Sequence, residues 1–290
     1  MKNAIIQQRV LGMVSTNVYV CMHAETKEAF IVDPADDADE IIRRSREKNV
    51  KVSACHQNRF NLAVQKMRAA LEEGRFGKLS HGSVQVLWHR SQEYYRQADW
   101  RGSWAKDGGC LMNQCLHGID LLLWMMGGRA VEVCGMLANR FHPEIEVEDL
   151  GMALVRFAGG ETALIEGTTN VYPENLEECL SLFGQAGTAR LGGKSANKIK
   201  EWQFADPRPG DEETRFFEEE TDSVYGNGHQ ALYADMIGAI REKRPPYVDA
   251  RAGRAAVELI LAIYKSARTG RPISLPLGDF SAKEMEGFRP

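Results

Sequence analysis

One stretch constrains what this chain can fold into. Residues 107–127 read Asp-Gly-Gly-Cys-Leu-Met-Asn-Gln-Cys-Leu-His-Gly-Ile-Asp-Leu-Leu-Leu-Trp-Met-Met-Gly. An almost wholly apolar run of helical length lies between a glycine pair and a second glycine pair, Gly127-Gly128. A helix apolar on nearly every side belongs inside a protein, and its few polar groups must then find partners there. At helical spacing Asn113, His117 and Asp120 stand at i, i+4 and i+7, one above another on one face. Such a stripe is either a satisfied internal network or the wall of a ligand pocket. The Gly108-Gly109 entry favours the pocket, because small residues let a ligand reach free helix N–H groups.

Bulk properties narrow the class. At 290 residues, 43% hydrophobic and 26% charged, the chain is a soluble globular type of one large or two ordinary domains. A formal net charge of -4 without a Lys/Arg-rich cluster gives no footprint for nucleic acid. No run reaches the length of a membrane span, and the apolar start is too short and broken for a signal peptide. The six cysteines form no Cys-x-x-Cys pair and lie mostly in apolar segments. They read as reduced, buried thiols of a cytoplasmic protein.

Taken in order, residues 4–11, 17–23 and 29–33 read as strands, 36–48 as an amphipathic helix and 50–55 as a short buried strand. A helix over about 62–73 ends at Gly74, and 79–90 alternate as a strand with Val84, Val86 and Trp88 on one face. A loop rich in Tyr, Trp and Arg (91–106) leads into the central helix. Strands follow at 130–140, 147–158, 161–171, 177–184 and within 188–204, then an acidic loop over 206–222. His229–Lys243 and Ala250–Thr269 read as helices, the second capped by Asp249 and stopped by Gly270. The sum is an α+β protein: an open, mostly antiparallel sheet with helices on one face, behind a strand-rich N-terminal segment. The other sheet face needs a cover, which predicts a homo-oligomer formed through the sheet.

Chemistry-bearing motifs are sparse. Gly226-Asn-Gly-His-Gln-Ala231 fits Gly-x-Gly-x-x-Ala, but an acidic loop stands where the nucleotide-binding fingerprint needs a buried strand. The seven histidines show no metal-ligand spacing, so no metal site is expected. Trp88, Tyr94, Tyr95, Trp100 and Trp104 gather with Arg90, Arg96 and Arg101 just before the central helix. That cluster is either a core edge topped by solvated arginines or a wall that stacks on rings and pairs with carboxylate or phosphate. Asn58-Arg59 ends a predicted strand, where open α/β sheets tend to place ligands.

Several segments together resemble one family. They are Cys55-His-Gln-Asn-Arg-Phe-Asn61, Leu71-Glu-Glu-Gly-Arg-Phe-Gly-Lys78, Trp100-Arg-Gly-Ser-Trp104, Asn113-Gln-Cys-Leu-His117-Gly-Ile-Asp120, Glu146-Val-Glu-Asp149 and Ala262-Ile-Tyr-Lys-Ser-Ala-Arg-Thr-Gly270. From about residue 37 to 280 the chain resembles the glucose-fructose oxidoreductase/inositol dehydrogenase (Gfo/Idh/MocA) family. Asn113-Gln-x-x-His117 with Thr168-Thr-Asn-Val-Tyr-Pro173 is most similar to its UDP-N-acetylglucosamine/uronate 3-dehydrogenase branch. The resemblance implies reversible oxidation of a sugar or nucleotide-sugar hydroxyl with NAD(P), on a substrate and oligomerisation domain built on an open sheet. It implies His117 as the catalytic base, Asn113 as an orienting residue and Asp120 as the group fixing the His117 tautomer. Arg59, Tyr94, Arg101 and Tyr172 would bind sugar or phosphate, with Trp100 and Arg101 on the nicotinamide side.

Members of that family begin with a Rossmann domain and a Glu-Lys-Pro motif, and neither is present here. Residues 1–36 instead resemble the opening of metallo-β-lactamase-fold hydrolases of the glyoxalase II kind, through Leu11-Gly-Met-Val-Ser-Thr-Asn-Val-Tyr-Val and Ala29-Phe-Ile-Val-Asp-Pro34. Their metal motif, His-x-His-x-Asp-His, is absent. The expected organisation is thus a fusion. Residues 1–36 are the borrowed segment, 37–55 a remnant helix and strand of a dinucleotide-binding domain, and 56–290 the substrate and oligomerisation domain. Without the fingerprint, binding of NAD(P) by this chain is not expected. A non-catalytic sugar-nucleotide binder or an oligomeric structural remnant is the alternative, and a metallo-hydrolase the remote one.

Overall fold

The computed structural model describes residues 4–11, 16–23, 25, 29–32, 47 and 51–290 apart from 128 and 222. The chain separates into two compact units, residues 1–52 and 53–290. In the first, β1 (Ala4–Leu11), β2 (Thr16–His23) and β3 (Ala29–Val32) form an antiparallel sheet in sequence order. Ala4 faces His23, and Tyr19 faces Val32. The helix expected over 36–48 falls outside the described residues except for Glu47.

The second unit is built on eight strands. They are β4 (Leu79–Leu87), β5 (Ala130–Ala138), β6 (Leu150–Phe157), β7 (Thr162–Thr168), β8 (Glu177–Gly184), β9 (Gly187–Gly192), β10 (Lys198–Phe204) and the short β11 (Ile273–Ser274). Their order is β10-β9-β8-β4-β7-β6-β5-β11. Only β4 and β7 run parallel; every other neighbouring pair is antiparallel. The parallel pair arises because the chain leaves the sheet after β4 and returns through the central helices before it reaches β7.

The helices lie on one face of this sheet: α1 (Leu62–Glu72), α2 (Gln92–Arg96), α3 (Cys110–Asn113), α4 (Leu116–Met125), α5 (Asp211–Arg215), α6 (Gly228–Arg241) and α7 (Ala250–Thr269) contribute the covering layer and its edges. Asp249 caps α7 by accepting from the Arg251 and Ala252 amides, and Gly270 ends it in the left-handed region. Glycines set the spacing between layers. A Cβ on Gly167 would stand 2.6 Å from the Cys115 sulfur, and one on Gly151 would stand 2.5 Å from Leu111. Helix α3 and the turn at Cys115 therefore ride directly on β6 and β7, while α4 packs on β4 and β8, with Leu111, Ile119, Leu121 and Leu122 fully buried.

The opposite face is open. Burial alternates strictly along β6, and Met136, Met152, Leu154 and Leu164 stay exposed on β5, β6 and β7. Two expectations are corrected. The strand read over 50–55 reduces to one bridge, Ser53 with Asp249, because the described segment finds no second neighbour. The acidic loop contains α5, anchored where Asp211 accepts two bonds from Arg75.

Candidate active site

The central segment is not one helix. The carbonyl of Cys110 accepts from the amides of both Gln114 and Cys115, at 2.9 and 3.0 Å. The i→i+5 bond inserts one extra residue and separates α3 from α4. One residue rotates everything before it by roughly 100° relative to everything after. The predicted stripe is broken for that reason: Asn113 is exposed and bonds Asp107, while His117 and Asp120 face inward. The Gly108-Gly109 entry also has another purpose than ligand approach. A Cβ on Gly109 would overlap the carboxylate of Glu148. Glu148 Oε1 accepts from the Leu111 amide and the Tyr264 hydroxyl, each at 3.0 Å, and its carbonyl accepts from the Cys110 amide. The free N–H groups at this helix start are thus filled from within.

His117 and Asp120 meet a short 3-10 helix, Gln57–Phe60. Arg59 donates from Nε to Asp120 Oδ2 and from Nη2 to Oδ1, both at 2.7 Å, and stacks on Trp124 at 4.9 Å. Its Nε and Nη2 are committed to Asp120. His56, one turn before Arg59, places Nδ1 3.5 Å from His117 Nδ1 and Nε2 3.6 Å from Asp120 Oδ1. Asp120 therefore lies within ion-pair distance of His56 and is fixed by Arg59, and no hydrogen bond joins it to His117 among the described residues. Burial lowers His117 to about 4, with the nearby His56 and His229 adding to the effect and Asp120 opposing it. Burial and then Arg59 lower His56 to about 4 as well. Both imidazoles are neutral at physiological pH. Beside them Asn58 donates to both oxygens of Glu178 at 3.2 Å, and burial raises that acid to about 7.

A second group forms past the carboxyl ends of β4 and β7, where His89 bridges Asn170. The Tyr94 ring has the guanidinium of Arg101 at 4.2 Å and that of Arg90 at 5.1 Å. Arg101 also lies 4.5 Å over Trp100 and donates to the Tyr94 hydroxyl, which accepts from Gln114 as well. Gln114 donates in turn to Asn113, and Asn113 to Asp107. The Nε atoms of Arg90 and Arg101, Trp88 Nε1 and Asn170 Oδ1 are buried without a hydrogen-bond partner among the described residues. Tyr172, on the loop after β7, is 89% exposed and precedes a cis proline.

The structure thus gathers His117, Asp120 and Arg59 in one group, and Asn113, Tyr94, Arg101 and Trp100 in another. Tyr172 joins neither. Sequence reading missed His56 and Glu178 as members, whereas it had already placed Arg90 in the aromatic cluster. The signal for His56 was its place three residues before Arg59, one turn of a 3-10 helix.

Gly226-Asn227-Gly228 is a packing device. A Cβ on Gly228 would overlap the Gln57 carbonyl, and one on Gly226 would stand 2.6 Å from the Asn61 amide. The glycines let α6 close onto the 57–61 turn, which leaves no space for a pyrophosphate. The match to the nucleotide fingerprint at Gly226–Gly228 therefore does not mark a nucleotide loop among the described residues. Among them no cluster of His, Cys, Asp and Glu is arranged to hold a metal ion.

Comparison with known proteins places this arrangement. Residues 64–190 match the model of the GFO/IDH/MocA C-terminal domain. The WlbA dehydrogenase from Bordetella pertussis, solved with NADH and UDP-GlcNAcA, is 38% identical over 83% of this chain and 68% of that one, with a TM-score of 0.74. The chain belongs to the Gfo/Idh/MocA family of oxidoreductases. The WlbA dehydrogenase from Chromobacterium violaceum, also solved with NADH and UDP-GlcNAcA, is 37% identical over 83% and 67%, again with a TM-score of 0.74. A levoglucosan dehydrogenase in complex with NADH and levoglucosan, at 20% identity and a TM-score of 0.68 over 80% and 68%, shares the Gfo/Idh/MocA fold. Comparison with curated proteins found no match. Nothing in these matches supports kinship of residues 1–36 with metallo-β-lactamase-fold proteins. No helix among the described residues is long and apolar enough to cross a membrane.

Proposed function

We propose that the chain is the substrate half of a nucleotide-sugar dehydrogenase, binding a UDP-sugar related to UDP-N-acetylglucosamine or its uronate. One observation carries this reading. A neutral, half-buried imidazole, His117, adjoins a charge-neutralised carboxylate inside a domain 38% identical to an enzyme solved with UDP-GlcNAcA. When a sugar hydroxyl is oxidised its proton needs an acceptor, and a neutral imidazole is ready to serve. The cations around Tyr94 suit an anion, since Arg presents a planar fork to phosphate or carboxylate. Arg90 and Arg101 would therefore take the diphosphate or uronate, with Tyr94, Trp100 and Asn113 lining the way to His117 and exposed Tyr172 at the rim.

In the relatives the hydride partner is a nicotinamide dinucleotide. This chain's described residues supply binding, orientation and the proton acceptor, and no dinucleotide cradle. The second reading is a nucleotide-sugar binder without turnover of its own. Residues 56–290 form the substrate domain on either reading, and the open sheet face is where two copies would join in the cytoplasm.

Calorimetric titration with UDP-GlcNAcA and UDP-GlcNAc tests the proposal. Micromolar binding that falls at least tenfold in Arg101→Ala is expected. Absence of binding to both compounds would remove the substrate reading. Binding without NAD-dependent oxidation would select the second reading over the first.

A further inference from the structure

His56 is used by nothing described so far, yet it is 3% exposed and lies between the two groups of the site that matter most. Its Nδ1 faces His117 Nδ1 at 3.5 Å, and its Nε2, buried without a hydrogen-bond partner among the described residues, lies 3.6 Å from Asp120 Oδ1, just beyond hydrogen-bond distance. Two neutral imidazoles that meet nitrogen to nitrogen must share a single proton between those atoms, because one has to donate and the other accept. There are two ways to place it. If His56 Nδ1 carried the proton, its Nε2 lone pair would point at the carboxylate of Asp120, lone pair against anion. If His117 Nδ1 carries it, His56 accepts on Nδ1 and keeps its own proton on Nε2, directed at Asp120. Only the second puts an N–H against the carboxylate. Arg59 holds that carboxylate in place with two bonds of 2.7 Å.

We propose that His56 is a positioning residue which, backed by Asp120 and Arg59, holds His117 in its Nδ1–H tautomer and so leaves Nε2 as the proton acceptor. The proposal assigns to His56 the tautomer control that Asp120 does not exert directly, and it rests on the reading of His117 as base. The step balances simply. The substrate O–H bond breaks, its electrons stay on oxygen, and an Nε2–H bond forms on His117. The imidazolium so made still donates from Nδ1 to His56, whose Nε2–H faces the fixed anion. The groups facing this pair are Asp120, Arg59 and His229, the last from the start of α6.

Nitrogen-15 two-bond correlation spectra of the labelled protein at pH 8, with peaks assigned through His117→Gln and His56→Gln, read the tautomers without any cofactor. The expected result is Nδ1–H for His117 and Nε2–H for His56. His56→Phe should move His117 to the Nε2–H form. His56→Gln, whose amide oxygen can accept the same bond, should keep Nδ1–H. An Nε2–H His117 in the parent overturns the proposal outright, as does a His117 tautomer that is unchanged in a folded His56→Phe. If His56→Phe does not fold, the parent and His56→Gln spectra still decide. The UDP-sugar titration is a separate readout. Failure to bind removes the substrate reading and leaves the tautomer result standing, whereas binding with the wrong tautomer removes only the role of His56.

Discussion

Arg59 and Asp120 form a buried, two-pronged ion pair beneath His117, with side chains 8% and 1% exposed. A pair this deep acts less as a source of stability than as a fixed point, because desolvation offsets much of its attraction. Breaking it on one side is another matter. Arg59→Leu leaves a carboxylate uncompensated, and the expected loss is about 3–5 kcal/mol. At roughly 2–4 °C per kcal/mol for a chain of this size, the melting temperature falls by about 6–20 °C. The double variant Arg59→Leu/Asp120→Leu should recover much of that loss. Differential scanning calorimetry of the cycle checks it, and additive losses would show the pair to be uncoupled.

Glu148 gives the pH dependence a definite sign. Burial pushes its pKa up to about 8, against the hydrogen bonds from the Leu111 amide and Tyr264. A folded pKa above the unfolded one means that the contribution is complete in acid and is lost as pH rises through about 8. Glu148→Gln keeps an Oε1 acceptor and removes the charge. It should match the parent near pH 5 and melt at a higher temperature than the parent at pH 9. A variant that melts lower at pH 9 would show that the acid is ionised and satisfied there.

The exposed face of β5–β7 should be where copies of the chain meet. Leu154 is 63% exposed and faces Cys134 on one neighbouring strand and Leu164 on the other. Leu154→Lys should convert a dimer or tetramer into a monomer by light scattering at micromolar concentration, with the melting temperature of the monomer little changed. A parent that is already monomeric would refute the assembly.

For the glycines before α6, packing and nucleotide binding predict different results. Gly228→Ala should lower the melting temperature markedly, because its Cβ overlaps the Gln57 carbonyl. NADH should show no micromolar binding by calorimetry to the parent or to the variant. Micromolar binding to the parent, lost in the variant, would restore these glycines as a nucleotide loop.

The fold was legible where period and punctuation agreed. Asp249 and Gly270 bounded α7, and the alternation of Val84 and Val86 marked β4, which ends at Leu87 and not at the expected residue 90. The site was half legible. His117 carried its family signature, and Arg59 and Asp120 each stood out, but their pairing did not, because a side chain's direction depends on what packs against it. The stripe of Asn113, His117 and Asp120 failed for one reason: a single extra residue in a turn is invisible to periodicity when Gln114 and Cys115 suit a helix as well as its surroundings do. His56 and Glu178 went unnoticed because each is meaningful only beside residues 61 and 120 positions away in sequence.

The double acceptance by the Cys110 carbonyl acts as a phase joint. On one side of it, Asp107, Asn113 and Gln114 keep one angular setting and join the arginine–tyrosine wall; on the other, His117 and Asp120 keep another, held by His56 and Arg59. The two settings can drift independently. Substitutions that retune the wall for a different sugar need not move the proton acceptor, whereas deleting one residue between Asn113 and His117 would turn the entire wall relative to the base. A lineage can thus diversify what it recognises while the imidazole stays in register.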